Sequence, residues 1–378
     1  MKKKQRPAGL DKVLAEYGLD AVIGVSPENY TFICGGHVSV RLRSRLGFAV
    51  IPAHGGGPFL VTCSLERALT TAESWMTDIR TYVEFEQHPV EPLAEGLRER
   101  GLDKGRIGLD LDYLPASAYL ELVNRLPHAT FVDTAEAVAS LRSFKTPDEI
   151  EIITRATRDT HRAVLDAMEA ARLGENERTM CNRIANNMIN NGADGITFMS
   201  FGSGKKAHLF HAGAYESVTP AVSEVIRFDV GAAYGSWSSD FARTYSTGEP
   251  TRKHRETYRK LLDVEAATID MIKPGIMAEE VFFFCRDMML KHGLIFYMPH
   301  VGHSLGIELH EKPMLKAGEK TRLMPGMLIN VEPSTFDDEK SAFHTEDLLL
   351  ITETGTELMT LGLAPPEIPV IGEKIVYP

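Results

Sequence analysis

The same order of elements occurs twice in the last two thirds of this chain. Helical periodicity covers about 147–172 and about 176–191, and a polar segment and a hairpin pattern follow it. The order then repeats, with helical periodicity over about 252–273 and about 278–292 and a second hairpin pattern behind it. The identity between the two halves is low, so it is the order of elements that suggests a duplication. The pattern predicts two α/β halves of similar build.

The first 140 residues predict a separate α/β domain. Short apolar runs such as DAVIGV and RIGLD alternate with the helical patterns PLAEGLRERG and AYLELVNRL. Between them, GFAVIPAHGGGPFLVTC indicates a hairpin that turns at its three glycines. No group of chemically reactive side chains stands out in this part of the sequence.

The domain boundary is predicted near the segment LRSFKTPDEIE. Thr146 can cap a helix, Pro147 suits its first position, and Glu149 completes a capping box with Thr146. With 378 residues, the chain exceeds the size at which a single core stops growing. We therefore expect an α+β protein with domains at 1–140 and 141–378.

Charge and cysteine usage narrow the class of protein. The 41 basic and 52 acidic residues give a net charge of -11, which argues against nucleic acid and anionic membranes as partners. The basic start MKKKQRPAGL has no apolar run behind it, and the four cysteines have no paired CxxC spacing. We expect a cytoplasmic protein with reduced thiols and no membrane partner.

Each of the two hairpin patterns carries a pair of carboxylates. Asp229 and Asp240 are equally far from the turn candidate Tyr234-Gly235, so a hairpin closed there would place them directly opposite each other. Glu332 and Glu346 are equally far from Glu339, which lies in the polar turn FDDEKS. Directly opposed side chains have Cβ atoms roughly 5 Å apart, and like charges at that distance are destabilising.

A cation between the carboxylates would remove this repulsion. Any one of the four acids alone is better explained as an exposed residue on an edge strand. Four acids in two matching hairpins, joined by the histidine-rich segment HVGHSLGIELHE, favour a metal site instead. Such an oxygen-rich set suits two divalent ions, and Mn, Co or Fe fit it as readily as Zn.

In these segments the chain resembles the pita-bread metallohydrolase family of prolidases, aminopeptidases P, methionine aminopeptidases and creatinases. The prolidase and aminopeptidase P branch is the most similar. The resemblance covers essentially the whole chain and is carried by LRSFKTPDEIE, GSGKKAHLFH, FDVGAAYGSWSSDFARTYSTG, GHSLGIELHEKP, GMLINVEP and HTEDLLLIT. It implies an N-terminal creatinase-like α/β domain, a C-terminal pita-bread catalytic domain with pseudo-twofold symmetry, and a homodimer.

The resemblance also implies a set of site residues. The family's metal ligands fall on Asp229, Asp240, His303, Glu332 and Glu346. By this analogy Asp240 and Glu346 bridge two divalent ions, and Glu332 is also the general base for a hydroxide held between them. The family's catalytic histidines fall on His211 and His310. The implied reaction is hydrolysis of an amide bond in a small substrate, by an Xaa-Pro dipeptidase or aminopeptidase.

Two positions on the substrate side depart from the branch. Many peptide-cleaving relatives have a histidine four residues before the metal-binding one; that position is Pro299 here, with His300 beside it. Many also have an arginine two residues before the last glutamate ligand, where this chain has His344. A histidine is a pH-dependent charge, whereas an arginine is a permanent one. The candidate substrate-binding residues are therefore His300 and His344. Arg41, in the segment HVSVRLRSR, is a third candidate, because the resemblance implies that the N-terminal domain covers the site of a partner subunit; a solvated strand is the alternative interpretation of this segment.

These departures leave other functions open. Members of the family also act on cyclic or N-acyl amides, and a few are lyases, so a non-peptide substrate is one alternative. A creatinase-like enzyme without metal and a non-catalytic pita-bread binding protein are two others. Members of those two classes usually lack the carboxylate ligands, and this sequence retains all of them.

Overall fold

In the computed structural model, which describes residues 6–36, 45–375 and 377, the chain divides into two units. These units are Met1–Arg142 and Ser143–Pro378. Within the described part of the chain, the helices are all too short or too polar to cross a membrane.

A mixed sheet with helices forms the first unit. Its strands are β1 (Ala21–Gly24), β2 (Phe48–Pro52), β3 (Phe59–Cys63), β4 (Asp78–Tyr82), β5 (Arg106–Leu109) and β6 (Thr130–Asp133). Its helices are α1 (Leu10–Glu16), α2 (Pro27–Cys34), α3 (Arg67–Glu73), α4 (Val90–Glu99), α5 (Ala116–Arg125) and α6 (Ala135–Leu141). The strand order is β4-β3-β2-β1-β5-β6, in which only β2 runs antiparallel to its neighbours.

Burial on both faces explains the continuous apolar runs of these strands. Ile23 and Val50 belong to one buried cluster, while Val22 and Ile51 belong to another on the opposite face of the sheet. The predicted hairpin is confirmed: β2 and β3 are antiparallel, and the three glycines between them have φ values of 68°, 68° and 65°. Glycine adopts this left-handed conformation without steric cost.

The second unit opens with the predicted capping box. The backbone N–H of Thr146 donates to Glu149 Oε2 at 2.9 Å, and the N–H of Glu149 donates to Thr146 Oγ1 at 3.4 Å. Helix α7 (Pro147–Ala170) starts there and is followed by α8 (Glu177–Asn190). The second helix pair is α9 (Arg252–Met271) and α10 (Ala278–Lys291). Both pairs lie where the helical periodicity predicts them.

The strands of the second unit form two larger sheets and a short hairpin. The first half supplies β7 (Gly195–Ser203), β8 (Val225–Tyr234), β9 (Trp237–Ser238) and β10 (Phe241–Ser246). The second half supplies β11 (His300–Ser304), β12 (Glu311–Lys316), β13 (Leu328–Val331), β14 (Ser334–Phe336), β15 (Ala342–His344), β16 (Asp347–Ile351) and β17 (Thr356–Leu358). The sheet orders are β10-β8-β7, with β9 beside β8, and β12-β11-β13-β16-β17; β14 pairs with β15.

The predicted pairing of Glu332 with Glu346 is confirmed. Val331 pairs with Asp347, and Ser334 pairs with His344 in the same register. This register places Glu332 opposite Glu346, at the point where the two strand pairs meet.

The predicted pairing of Asp229 with Asp240 is wrong. Tyr234 pairs with Trp237, so the turn consists of Gly235 and Ser236, and Asp229 faces Ala242. Gly235 has a φ of 65°, which suits a two-residue hairpin turn with glycine first. Asp240 lies two residues from the partner of Asp229, and side chains alternate with a period of two. Both aspartates therefore still lie on one face.

Candidate metal centre

Side chains from both halves of the second unit converge on one buried region. Ligand atoms of Asp229, Asp240 and Glu346 lie within 4.8 Å of one another, as do those of Asp240, His303 and His310. His303 Nε2 is 3.4 Å from Asp240 Oδ2 and 3.3 Å from Glu332 Oε1. The five predicted ligands therefore lie together, and Asp240 is common to both groups.

The atoms that face this region lack hydrogen-bond partners among the described residues. They are Asp229 Oδ1, His303 Nε2, Glu332 Oε1 and both carboxylate oxygens of Glu346. All five side chains are buried. Burial and neighbouring carboxylates raise the pKa of Asp240 and of Glu346 well above its ordinary value. Divalent cations would both satisfy these atoms and neutralise their charge.

His303 is oriented as a metal ligand. Its Nδ1 lies 2.9 Å from the carbonyl oxygen of Ser304, so a proton on Nδ1 leaves the lone pair of Nε2 directed at the carboxylates. Burial lowers the pKa of His303, but the carboxylates of Asp240 and Glu332 raise it by more than burial lowers it. The resulting pKa of His303 is about 9. A metal ion at Nε2 would take the place of the proton that these carboxylates attract.

Glu332 has a different electrostatic environment from Asp240 and Glu346. His300 Nδ1 lies 3.2 Å from Glu332 Oε1, and His344 Nε2 lies 3.6 Å from Glu332 Oε2. Burial raises the pKa of Glu332, but His300, His303 and His344 lower it well below its ordinary value. Glu332 is therefore a carboxylate at neutral pH. The two substrate-side candidates His300 and His344 both lie against it.

The two predicted catalytic histidines differ in position. His310 is exposed, but its ring lies 4.2 Å from the His303 ring. Partial desolvation of the ring and the neighbouring His303 lower the pKa of His310 to about 4. A neutral His310 can accept or donate a hydrogen bond beside the ligands. His211 is exposed on the loop after β7, and its ring lies 5.3 Å from that of Phe210. Arg41 lies outside the described residues.

Glu265 and Asp347 form a buried acidic pair beside the site. Arg243 donates through Nη1 to the backbone carbonyl of Glu346 and through Nη2 to Asp347 Oδ1 at 2.7 Å. The hydroxyl of Thr360 also donates to Asp347 Oδ1. Burial and the Asp347 carboxylate raise the pKa of Glu265 well above its ordinary value. Glu265 is therefore the neutral acid of the pair.

A buried ion pair holds the segment between His303 and His310. Lys145 Nζ lies 2.8 Å from Glu311 Oε2, and the two side chains are 2% and 1% exposed. Lys145 also donates to Ser304 Oγ at 3.3 Å, and Glu311 Oε1 accepts from the backbone N–H of Glu308. Sequence reasoning missed this pair, because 166 residues separate its members.

Sequence reasoning also missed Arg227, a fully buried cation on β8. Its strand reads VIRFDV, and an arginine in such a run resembles an ordinary exposed residue. The available signal was its position two residues before Asp229, since alternation puts both side chains on one face.

Comparisons with known proteins agree with this architecture. The model for metallopeptidase family M24 matches residues 151–353, and that for the creatinase/prolidase N-terminal domain matches residues 6–144. An Xaa-Pro dipeptidase of Pyrococcus furiosus is 28% identical over 359 residues, which cover 94% of this chain and 98% of that protein. An Xaa-Pro dipeptidase of Lactobacillus helveticus is 30% identical, with 83% and 86% covered.

Solved structures show the same fold. An Xaa-Pro dipeptidase from Bacillus anthracis superimposes with a TM-score of 0.86 at 25% identity, covering 96% of this chain and 98% of that one. A prolidase from Pyrococcus horikoshii superimposes with a TM-score of 0.82 at 25% identity, covering 93% and 96%. The predicted fold, a creatinase-like domain followed by a pita-bread domain, is confirmed.

Proposed function

This chain belongs to metallopeptidase family M24 and is a metallohydrolase, and on that premise we propose that it is a dinuclear dipeptidase for small Xaa-Pro substrates. The observation that carries the proposal is the convergence of four buried carboxylates and one imidazole. Asp229, His303, Glu332 and Glu346 each have at least one atom without a hydrogen-bond partner among the described residues. This donor set fits two divalent ions, and Mn, Co, Fe and Zn all suit it.

The candidate ligands define two positions for divalent ions. Asp229, Asp240 and Glu346 surround one position, and Asp240 and His303 belong to the other, next to Glu332. When bound, divalent ions supply Lewis-acid activation of water and of the scissile carbonyl.

The protein's own residues would then move the protons. Glu332, which remains ionised beside His300 and His344, accepts a proton from the attacking water. His310 is neutral at pH 7 and can donate a hydrogen bond to the oxygen that becomes negatively charged. His211 lies on the exposed loop next to Phe210, and we assign it a contact with the substrate.

Support for the Xaa-Pro dipeptide comes from the relatives. The Pyrococcus furiosus and Lactobacillus helveticus proteins are named Xaa-Pro dipeptidases, and both are matched over most of their length. Although His300 is displaced by one position in the sequence, its ring reaches Glu332. A histidine is therefore available on the substrate side of the site.

A substrate panel tests the proposal. Protein reconstituted with Mn or Co would be assayed with Xaa-Pro dipeptides, longer Xaa-Pro peptides, ordinary dipeptides, and N-acyl or cyclic amides. We expect the highest kcat/KM for Xaa-Pro dipeptides and no turnover by a Glu332→Gln variant that retains its metal. Turnover of cyclic or N-acyl amides alone would replace the dipeptidase assignment with a non-peptide amidase.

A further inference from the structure

Arg227 lies on the side of β8 that faces the metal centre. Ile226 and Phe228 point into the apolar core on the other side, so Arg227 and Asp229 share the site face. Arg227 pairs with Thr244 across the sheet, and the Thr244 hydroxyl bonds to both the N–H and the carbonyl of His344. The guanidinium therefore lies on the His344 side of the site.

The hydrogen-bonding capacity of Arg227 is only partly used. Nη2 donates to Ser200 Oγ at 2.9 Å and to the carbonyl oxygen of Phe210. Nε and Nη1 have no hydrogen-bond partner among the described residues, and no carboxylate that the structure describes lies within ion-pair distance. A buried charged group with unsatisfied donors is strongly destabilising, so this position calls for a ligand or ordered water.

Aromatic rings separate the guanidinium from solvent. The Phe210 ring lies 4.5 Å from the Arg227 guanidinium carbon and is itself half-buried. It contacts the rings of His344 at 5.3 Å and His211 at 5.3 Å, and that of Tyr297 lies 6.3 Å away. The Arg227 guanidinium therefore lies beside a ring that also contacts two candidate site histidines, His211 and His344.

Arg227 lies close to Asp229 along the strand, which favours a short substrate. Arg227 and Asp229 are two residues apart, which is about 7 Å along a strand. A dipeptide carries its free carboxylate one residue beyond the scissile carbonyl, at most about 3.6 Å further on. An anion-binding group this close to the ligands suits a dipeptide, because a longer peptide places its carboxylate farther away.

We propose that Arg227 binds the free carboxylate of the substrate and thereby selects dipeptides over longer or amidated peptides. This inference rests on the proposed dipeptidase function. Carboxylate binding would satisfy the free donors of the buried guanidinium, and charge-assisted hydrogen bonds of this kind are the strong ones. Arg227 would thus determine specificity, while Nη2 continues to hold the Phe210 carbonyl.

The first test compares Ala-Pro with its C-terminal amide in the metal-loaded enzyme. We expect the wild type to prefer the acid by about 10- to 100-fold in kcat/KM, the range expected for a charged hydrogen bond. Arg227→Met should raise KM for the acid and bring the acid-to-amide ratio close to one. Ser200→Ala is the matched control: it weakens the attachment of the loop but keeps the guanidinium, and should change both substrates alike. An unchanged ratio in Arg227→Met would overturn the proposal.

A binding measurement separates this inference from the proposed function. Calorimetry of the Mn-loaded protein with L-proline and with L-prolinamide requires no turnover. Tighter binding of L-proline that is lost in Arg227→Met supports the inference even if no Xaa-Pro peptide is cleaved; equal binding in both proteins overturns it. If Arg227→Met does not fold, Arg227→Gln replaces it, because glutamine keeps hydrogen-bond donors but carries no charge. It should abolish the preference for the carboxylate, and an unchanged preference would again refute the role.

Discussion

Replacing Glu265 with glutamine should change the pH dependence of stability in a defined direction. Glu265 is buried on α9 near the Asp347 carboxylate. Its burial and the charge of Asp347 raise the pKa of Glu265 above its value in the unfolded chain. Above the unfolded pKa of about 4.3, the unfolded chain releases this proton while the folded protein keeps it. The free energy of unfolding therefore falls by about 1.4 kcal/mol for each pH unit, until the folded pKa is reached. Glutamine is neutral in both states and lacks this slope.

Urea unfolding between pH 5 and pH 8 measures the effect. Trp237 fluorescence in a Trp75→Phe background reports on the second unit, because the remaining tryptophan lies on β9. Relative to its parent, Glu265→Gln should gain about 1.4 kcal/mol per pH unit as the pH rises. Asp263→Asn is the matched control, since it removes an exposed carboxylate from the same helix and should show no such trend. A difference between Glu265→Gln and its parent that does not vary with pH would mean that Glu265 is ionised in the fold, and would refute the reasoning.

Three further predictions concern buried ionisable groups. Asp240→Ala should lower the amount of bound metal measured by elemental analysis and abolish the rise in Tm that Mn induces. The control Glu353→Ala, which removes an exposed carboxylate, should change neither quantity. An Asp240→Ala protein that is fully loaded with metal would contradict the ligand assignment. Lys145→Met should lower the free energy of unfolding in urea by about 3–5 kcal/mol, because it leaves the buried Glu311 carboxylate without its partner. The double variant Lys145→Met with Glu311→Leu should recover most of this free energy. Equal losses in the two variants would show that packing rather than charge dominates. Burial lowers the pKa of His161 well below its ordinary value. As the pH falls below about 6.5, the free energy of unfolding of the wild type should therefore decrease by about 1.4 kcal/mol per pH unit relative to that of His161→Gln. If the two proteins show parallel curves of unfolding free energy against pH, the buried ring is not neutral.

The Asp229 and Asp240 hairpin shows which part of the site the sequence could predict. Both Tyr234-Gly235 and Gly235-Ser236 are acceptable turns, so the sequence does not decide between them. Moving the centre of a hairpin turn by one residue moves every cross-strand partner by two residues. A shift of two leaves each side chain on its original face. The convergence of the two aspartates was therefore predictable, although their direct pairing was not.

The groups that support the ligands could not be predicted in the same way. Lys145 and Glu311 meet only because the segment before α7 packs on the loop between two histidines. Glu265 lies on α9, and its helical pattern alone indicates a polar residue on an otherwise apolar face. The raised pKa of Glu265 comes from its burial and from the nearby Asp347, and both depend on tertiary contacts. Local patterns predict the strands that carry the ligands, whereas long-range packing determines the protonation of the surrounding groups.

Charge compensation distinguishes the supporting groups from those that need a ligand. Lys145 neutralises Glu311, and Arg243 neutralises Asp347, while Glu265 stays protonated. These neighbours therefore contribute little net charge to the site. The ligand carboxylates must be balanced by bound cations or by protons, so acidic pH should weaken metal binding through competition for the same oxygens. Arg227 is the opposite case, a buried cation without a carboxylate at ion-pair distance in the described structure. By the proposed assignment, the free carboxylate of a substrate would form the ion pair that Arg227 lacks.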